Sequence, residues 1–101
     1  MKLVTDDRLD EFIDSLPGID RAQCGHVMEL LIALGKRLGM PHSKKINSEL
    51  WELRTKGAHS IRLFYGVIGG TAYLVHGFIK KSNKTPKREI DTALKRLYNL
   101  K

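Results

Sequence analysis

The chain is poor in the residues that carry most recognisable site chemistry. It has one cysteine, Cys24, so neither an internal disulfide nor a cysteine zinc site is available. That usage fits a reducing compartment, and a lone cysteine reads most simply as a small buried apolar residue. No glycine-rich phosphate loop is present, because Gly66, Gly69 and Gly70 fall in a hairpin pattern. His26, His42, His59 and His76 show no metal-ligand spacing. No serine or cysteine stands in a recognisable nucleophile setting. The longest clean apolar run is Leu30–Leu34, far short of the roughly 20 residues of a membrane helix. Met1–Arg8 is polar and acidic rather than a basic start followed by an apolar core, so no targeting segment is expected. These absences lead to the expectation of a soluble, cytoplasmic protein with no membrane partner.

Acid is scarce where base is plentiful. Residues 1–20 carry six acidic side chains against Lys2 and Arg8, whereas residues 36–101 carry fifteen Lys/Arg against Glu49, Glu52, Glu89 and Asp91. The net charge of +7 is therefore concentrated in the later two-thirds. This asymmetry suggests a polyanion partner, with a merely solvated basic surface as the alternative. At 101 residues, with 42% hydrophobic and 29% charged side chains, the chain suits one folded domain, residues 1–101.

Thr5-Asp6-Asp7 can cap a helix whose apolar positions are Leu9, Phe12, Ile13 and Leu16, stopped by Pro17-Gly18. A second helix is expected from about Asp20 to Leu38, with Gly39 as its C-cap. The short link makes the pair an antiparallel helical hairpin. Met1–Val4 is too short to assign, and Met40–Asn47 reads as a loop. Three strands follow: Ser48–Arg54, Ser60–Ile68 and Thr71–Lys80. Gly69-Gly70 is a two-residue hairpin signal. Pro86 suits the first turn of a last helix from Lys87 to about Leu100. The expected fold is α+β: an N-terminal helical hairpin on a small antiparallel sheet of three to four strands, with a C-terminal helix.

The hairpin turn predicts a register in which Arg62 faces Gly77 and Phe64 faces Val75. The longer first turn suggests that Glu52 faces Arg62. Alternation then gives one apolar face, with Trp51, Leu53, Ile61, Leu63, Tyr65, Leu74, His76 and Phe78, to pack on the helices. The opposite face gathers Glu52, Arg54, Arg62 and Lys81 at one end. Arg62 is either half of a cross-strand ion pair with Glu52 or part of a cationic patch suited to phosphate oxygens. Lys80, Lys84, Lys87 and Arg88 extend that patch toward the last helix, whose N-terminus also favours anions. Phe64 and Tyr73 either stack on a base or close this side of the sheet. His76 reads as a satisfied core histidine, and His59, beside Arg54 in the turn, as a titratable candidate.

Trp51-Glu52-Leu53-Arg54, Ile61-Arg62-Leu63-Phe64-Tyr65 and the run His76-Gly77-Phe78-Ile79-Lys80-Lys81-Ser82-Asn83-Lys84-Thr85-Pro86 come in an order that resembles the RelE/HigB family of type II toxins, most closely its phage-derived HigB-like branch. The resemblance covers nearly the whole chain. It implies a ribosome-dependent endoribonuclease that cuts mRNA in the ribosomal A site. In that reaction the RNA 2′-hydroxyl attacks the adjacent phosphate, with no metal and no cofactor. Arg62 matches a catalytic arginine of RelE-like toxins, Lys81 a second catalytic basic position, and Arg54 the Glu-Leu-Arg of the HigB-like branch. Lys80, Lys84, Lys87, Arg88 and Lys45 are the expected RNA contacts. Two departures stand out: Glu52 occupies the place of a lysine, and Ile90 the place of a tyrosine. Glu52, His59 and Lys84 are thus open alternatives for proton transfer. The implied partners are the ribosome, mRNA and a cognate antitoxin of helix-turn-helix, HigA-like type. The rival readings are a ParE-like toxin directed at gyrase and an inactive module that binds only nucleic acid or antitoxin.

Overall fold

The structure, a computed structural model, describes residues 1–100. A strand opens the chain, β1 (Lys2–Thr5), where the sequence was too short to assign. Helix α1 (Asp7–Asp14) follows, capped by Asp6, whose carboxylate accepts the Arg8 backbone N–H at 2.8 Å. Helix α2 runs Gly18–Leu34. It ends before the expected Leu38 because Gly35 takes φ +55°, a left-handed value that suits glycine, and a short 3-10 turn, Gly35–Arg37, carries the chain onward. Gly39 is not the cap; its carbonyl instead accepts from His42 and Ser43 in the next turn.

The expected loop over residues 40–47 contains a three-residue edge strand, β2 (Ser43–Lys45). Then come β3 (Trp51–Arg54), β4 (Ile61–Ile68), β5 (Thr71–Ile79) and helix α3 (Lys87–Tyr98). Gly69 and Gly70 both have positive φ, +57° and +79°, as a two-residue hairpin requires. The five strands form one sheet in the order β1-β5-β4-β3-β2. β1 pairs parallel to β5 and the other neighbours pair antiparallel. The α+β class holds, but the sheet is mixed and five-stranded rather than antiparallel with three to four strands. The first two helices do not open the chain; they follow a sheet strand.

The β4–β5 register follows the expected pairing from Ile68↔Thr71 to Tyr65↔Leu74. A bulge then skips one residue, so Phe64 pairs with His76 and Arg62 with Phe78, not with Val75 and Gly77. Between β3 and β4, Arg54 pairs with Arg62 and Glu52 with Phe64. That is two residues from the expected pairing, which leaves every side chain on its expected face.

The sheet separates two cores. On one side α1 and α2 pack over Leu53, Ile61, Leu63, Tyr65, Ala72 and Leu74. On the other, α3 sets Ala93 and Leu97 against Leu50, Phe64, Val75 and Phe78. The bulge moves His76 and Phe78 from their expected apolar face to the α3 side, where the Phe64 and Phe78 rings lie 5.5 Å apart. Gly77 turns toward α1 instead, and a Cβ there would come within 2.7 Å of the Phe12 ring. Gly66 is the counterpart under α3: a Cβ would sit 2.6 Å from Leu97.

Candidate functional site

Helix α3 covers only one end of its sheet face. At the other end β3 and β4 place Glu52, Arg54 and Arg62 together on that same face. Lys44, paired with Glu52 across the β2–β3 ladder, joins them from the edge strand. The Glu52 Oε1 lies 3.5 Å from the Nε of Arg54 and 3.5 Å from the Nε of Arg62. The three side chains differ sharply in exposure: 3% for Glu52, 7% for Arg62 and 24% for Arg54.

This cluster is under-satisfied. Glu52 Oε2 and Arg62 Nε are both buried and find no hydrogen-bond partner among the described residues. Arg62 Nη1 makes one long contact, donating to the Ile61 carbonyl at 3.4 Å. Burial pushes the Arg62 guanidinium below its ordinary pKa, the adjacent Arg54 pushes the same way, and Glu52 opposes both. Two arginines face each other across a non-edge pair with one carboxylate between them. Like charges directly opposite are unfavourable, and unsatisfied buried polar groups call for an explanation. An anion bound over the guanidinium groups would relieve the repulsion between the two arginines.

An open depression of about 340 Å³ lies beside Arg62, lined also by Ser60, Lys80, Lys81, Ser82 and Asn83. Lys80 donates its backbone N–H to the Ser60 carbonyl at 2.7 Å. The bulge thus puts Lys80 in phase with Arg62, a place the unbulged register gave to Lys81. Strand β5 ends at Ile79, and Lys81 reaches the same depression from the link that follows.

The other sequence candidates are scattered. Lys45 points to the opposite face, where its Nζ lies 5.4 Å from the Trp51 ring centre and Trp51 stacks on Tyr65. It does not join Arg62, because β2 is a strand and Lys44 and Lys45 alternate. Lys84 is exposed in the link, its carbonyl accepting from Ser82. Lys87 is exposed and pairs with Asp91 at 3.2 Å, and Arg88 lines a separate groove beside Phe12. His59 turns toward α2, where its Nδ1 meets the buried Asp20 carboxylate at 2.8 Å. Phe64 is fully buried, so it closes the sheet and cannot stack on a base. Tyr73 and Ile90 pack at the edge of the same core. His76 is satisfied, though on the α3 side: Arg96 donates to its Nδ1 at 3.2 Å, which leaves Nε2–H to donate to Glu89 at 3.1 Å.

Sequence reasoning missed Lys44, Ser60, Ser82 and Asn83 at the site and the Asp20–His59 contact behind it. The pair Lys44-Lys45 in an assumed loop was the only available signal for β2. Cys24 is fully buried as expected, and burial pushes its thiol up to about 11. Among the described residues no three His, Cys, Asp or Glu side chains converge as a metal site. No described helix is long and apolar enough to cross a membrane.

A comparison with curated proteins finds no significant match. The family model described as "Phage derived protein Gp49-like (DUF891)" matches residues 11–98, which takes in every element from within α1 to α3. The chain therefore belongs to the phage-derived Gp49-like family, a family of RelE/HigB-like toxins.

Proposed function

We propose that this chain is the toxin of a type II toxin-antitoxin pair, of the HigB-like branch, and that it cuts mRNA in the ribosomal A site. The observation that carries this reading is the Glu52–Arg54–Arg62 cluster, with Glu52 and Arg62 buried and no hydrogen bond at Arg62 Nε among the described residues, beside a depression rimmed by Lys80 and Lys81. RNA cleavage by its own 2′-hydroxyl needs a positioned backbone and compensation for the charge that builds on the phosphate. The oxygen at 2′ bonds to phosphorus, the bond from phosphorus to the 5′ oxygen breaks, and a 2′,3′-cyclic phosphate remains. Arg62 and Arg54 face that charge, and Arg62 supplies a planar fork matched to two phosphate oxygens. Lys80 and Lys81 hold the flanking backbone. In this reading Lys81 gives a proton to the departing 5′ oxygen, while the 2′ proton leaves to water.

Glu52 is buried beneath the arginines, so we assign it to positioning them rather than to proton transfer. His59 is turned to the far side of the sheet and takes no part. A cytoplasmic setting, the ribosome and an antitoxin of helix-turn-helix type that masks the cationic face complete the reading. Ile90, apolar and packed where RelE-like toxins carry a tyrosine, favours a second reading in which the chain only binds.

The test is induction in a bacterial host with mRNA 5′ ends mapped within minutes, beside Arg62→Met, which keeps an unbranched apolar stem and removes the charge. New ends confined to translated frames and lost in the variant are expected. Growth arrest without new ends would redirect the reading to another target such as gyrase. Neither arrest nor cleavage would leave the binding-only reading.

A further inference from the structure

Strand β5 is longer than the strand that protects it. β1 pairs only with Thr71–Leu74, and the Asp6 N–H closes that ladder on the Leu74 carbonyl at 2.9 Å before the chain turns away into α1. Val75–Ile79 therefore has β4 on one side and, among the described residues, no strand on the other. Hydrogen-bonding direction alternates along an antiparallel strand. Since Lys80 bonds to Ser60 on β4, residues 78 and 76 also point to β4, and Gly77 and Ile79 point outward. Among the described residues, no backbone hydrogen bond outside the sheet ladders reaches Gly77 or Ile79. Val75, at the bulge, has its carbonyl taken by Arg96 at 3.0 Å.

This open half-edge lies on the floor of a groove of about 470 Å³ between Phe12 of α1 and Pro86, Arg88 and Glu89 of α3. The sheet's other edges are guarded as free edges usually are, by shortness and lysine: Lys2 on β1, Lys44 and Lys45 on β2. The β5 half-edge instead offers Gly77, Phe78 and a partly exposed Ile79. Its rim is basic, with Lys81 and Arg88, while Glu89 is engaged by His76. Helix α3 starts in the same groove with no side-chain cap on its first N–H groups, which favours negative charge there.

We propose that this groove receives an extended, acidic segment of a partner protein, which adds a strand to β5. Its backbone bonds to Gly77 and Ile79. Apolar side chains at alternate positions rest against Phe12 and Ile79, and Asp or Glu side chains meet Lys81, Arg88 and the start of α3. A strand rather than RNA is favoured because the floor alternates N–H and C=O groups at peptide spacing. Under the toxin reading the partner is the antitoxin, but the docking itself does not depend on RNA cleavage.

The test uses the whole chain as bait for a phage-displayed library of random nine-residue peptides. Enriched peptides should alternate apolar residues with Asp or Glu and lack proline within the paired run. A synthesised winner should slow amide hydrogen exchange at Gly77 and Ile79 at least tenfold while leaving Phe78, already bonded to β4, unchanged. Ile79→Pro removes one outward N–H and should weaken binding at least tenfold. Arg88→Glu, which leaves the backbone intact, should weaken acidic peptides similarly and guards against misfolding of the first variant. No enrichment, enrichment of basic peptides, uniform protection of residues 77–79, or the same amides protected by an RNA oligonucleotide would each overturn the proposal.

Discussion

Replacing Glu52 by Gln tests the electrostatic reading of the site without changing its shape. The carboxylate lies 3.5 Å from both Arg54 and Arg62. At an effective dielectric constant near 20, a unit charge at that distance gains about 5 kcal/mol from each guanidinium. Burial of Glu52 and Arg62 takes back much of this, and the orphaned Oε2 adds a further desolvation cost. Removing one partner of such a buried cluster nevertheless exposes the repulsion between the remaining two. We expect Glu52→Gln to lose about 3 kcal/mol, the lower end for a broken buried pair. For a domain of this size that lowers Tm by about 15 °C. Urea titrations followed by Trp51 fluorescence measure it, with m unchanged. Sulfate should restore more stability to the variant than to the parent, because the freed arginines recruit an anion. In an Arg62→Met background the same change should cost at least about 1 kcal/mol less, since the repulsion is already gone. A loss below about 0.5 kcal/mol, or equal losses in the two backgrounds, would refute the argument.

Gly66→Ala should cost about 2–3 kcal/mol, because the added methyl meets Leu97 at 2.6 Å and the Glu49 carbonyl at 3.1 Å, and Leu97→Ala in the same chain should relieve part of that clash; chemical denaturation of the single and double variants checks it. Asp6→Ala removes the α1 cap and should cost about 1 kcal/mol. Its hydrogen bonds from Arg8 hold the Asp6 carboxyl down from 3.8 to about 2 against the opposing push of burial. A depressed carboxyl stabilises the fold above its unfolded value, so the parent's advantage over Asp6→Ala should persist at pH 5 and fade as pH drops from about 4 toward 2. Cys24, with its thiol raised from 9.0 to about 11, should resist iodoacetamide at pH 8 in the native state and react on unfolding. The raised thiol stabilises the fold below pH 9, and that contribution should fade between pH 9 and 11.

Much of the sheet was legible because its signals are local. Gly69-Gly70 fixed the tightest turn, and the pairing counted outward from it holds for four residue pairs, Ile68↔Thr71 to Tyr65↔Leu74. The β3–β4 turn was misjudged by two residues, yet Glu52, Arg54 and Arg62 kept their shared face because the side-chain period is also two. Strands β1 and β2 were not legible, since four and three residues carry no periodicity. Each exists because a longer neighbour, β5 or β3, supplies its hydrogen-bond template. The end of α2 was misjudged because Leu38, apolar and buried, continues the helical stripe past Gly35, where the helix stops.

The bulge is the feature that no pattern in Thr71–Lys81 announced, and the site depends on it. Without the skipped residue, Phe78 would point at α1 and α2, into the space that Leu9 and Phe12 occupy over Gly77. The second core would lose a ring that packs 5.5 Å from Phe64. Lys80 would fall out of phase with Arg62. The sequence resolves this conflict through size: a residue with no side chain stands where α1 crosses closest, and a phenylalanine stands next to it where α3 leaves room. A bulge between Leu74 and His76 satisfies both, at the cost of one ladder step, and Arg96 takes up the Val75 carbonyl that the bulge frees. Packing on two opposed faces therefore selects the register, and the register then delivers Lys80 to the arginines. An apolar pattern read one face at a time could locate the arginines but not that lysine.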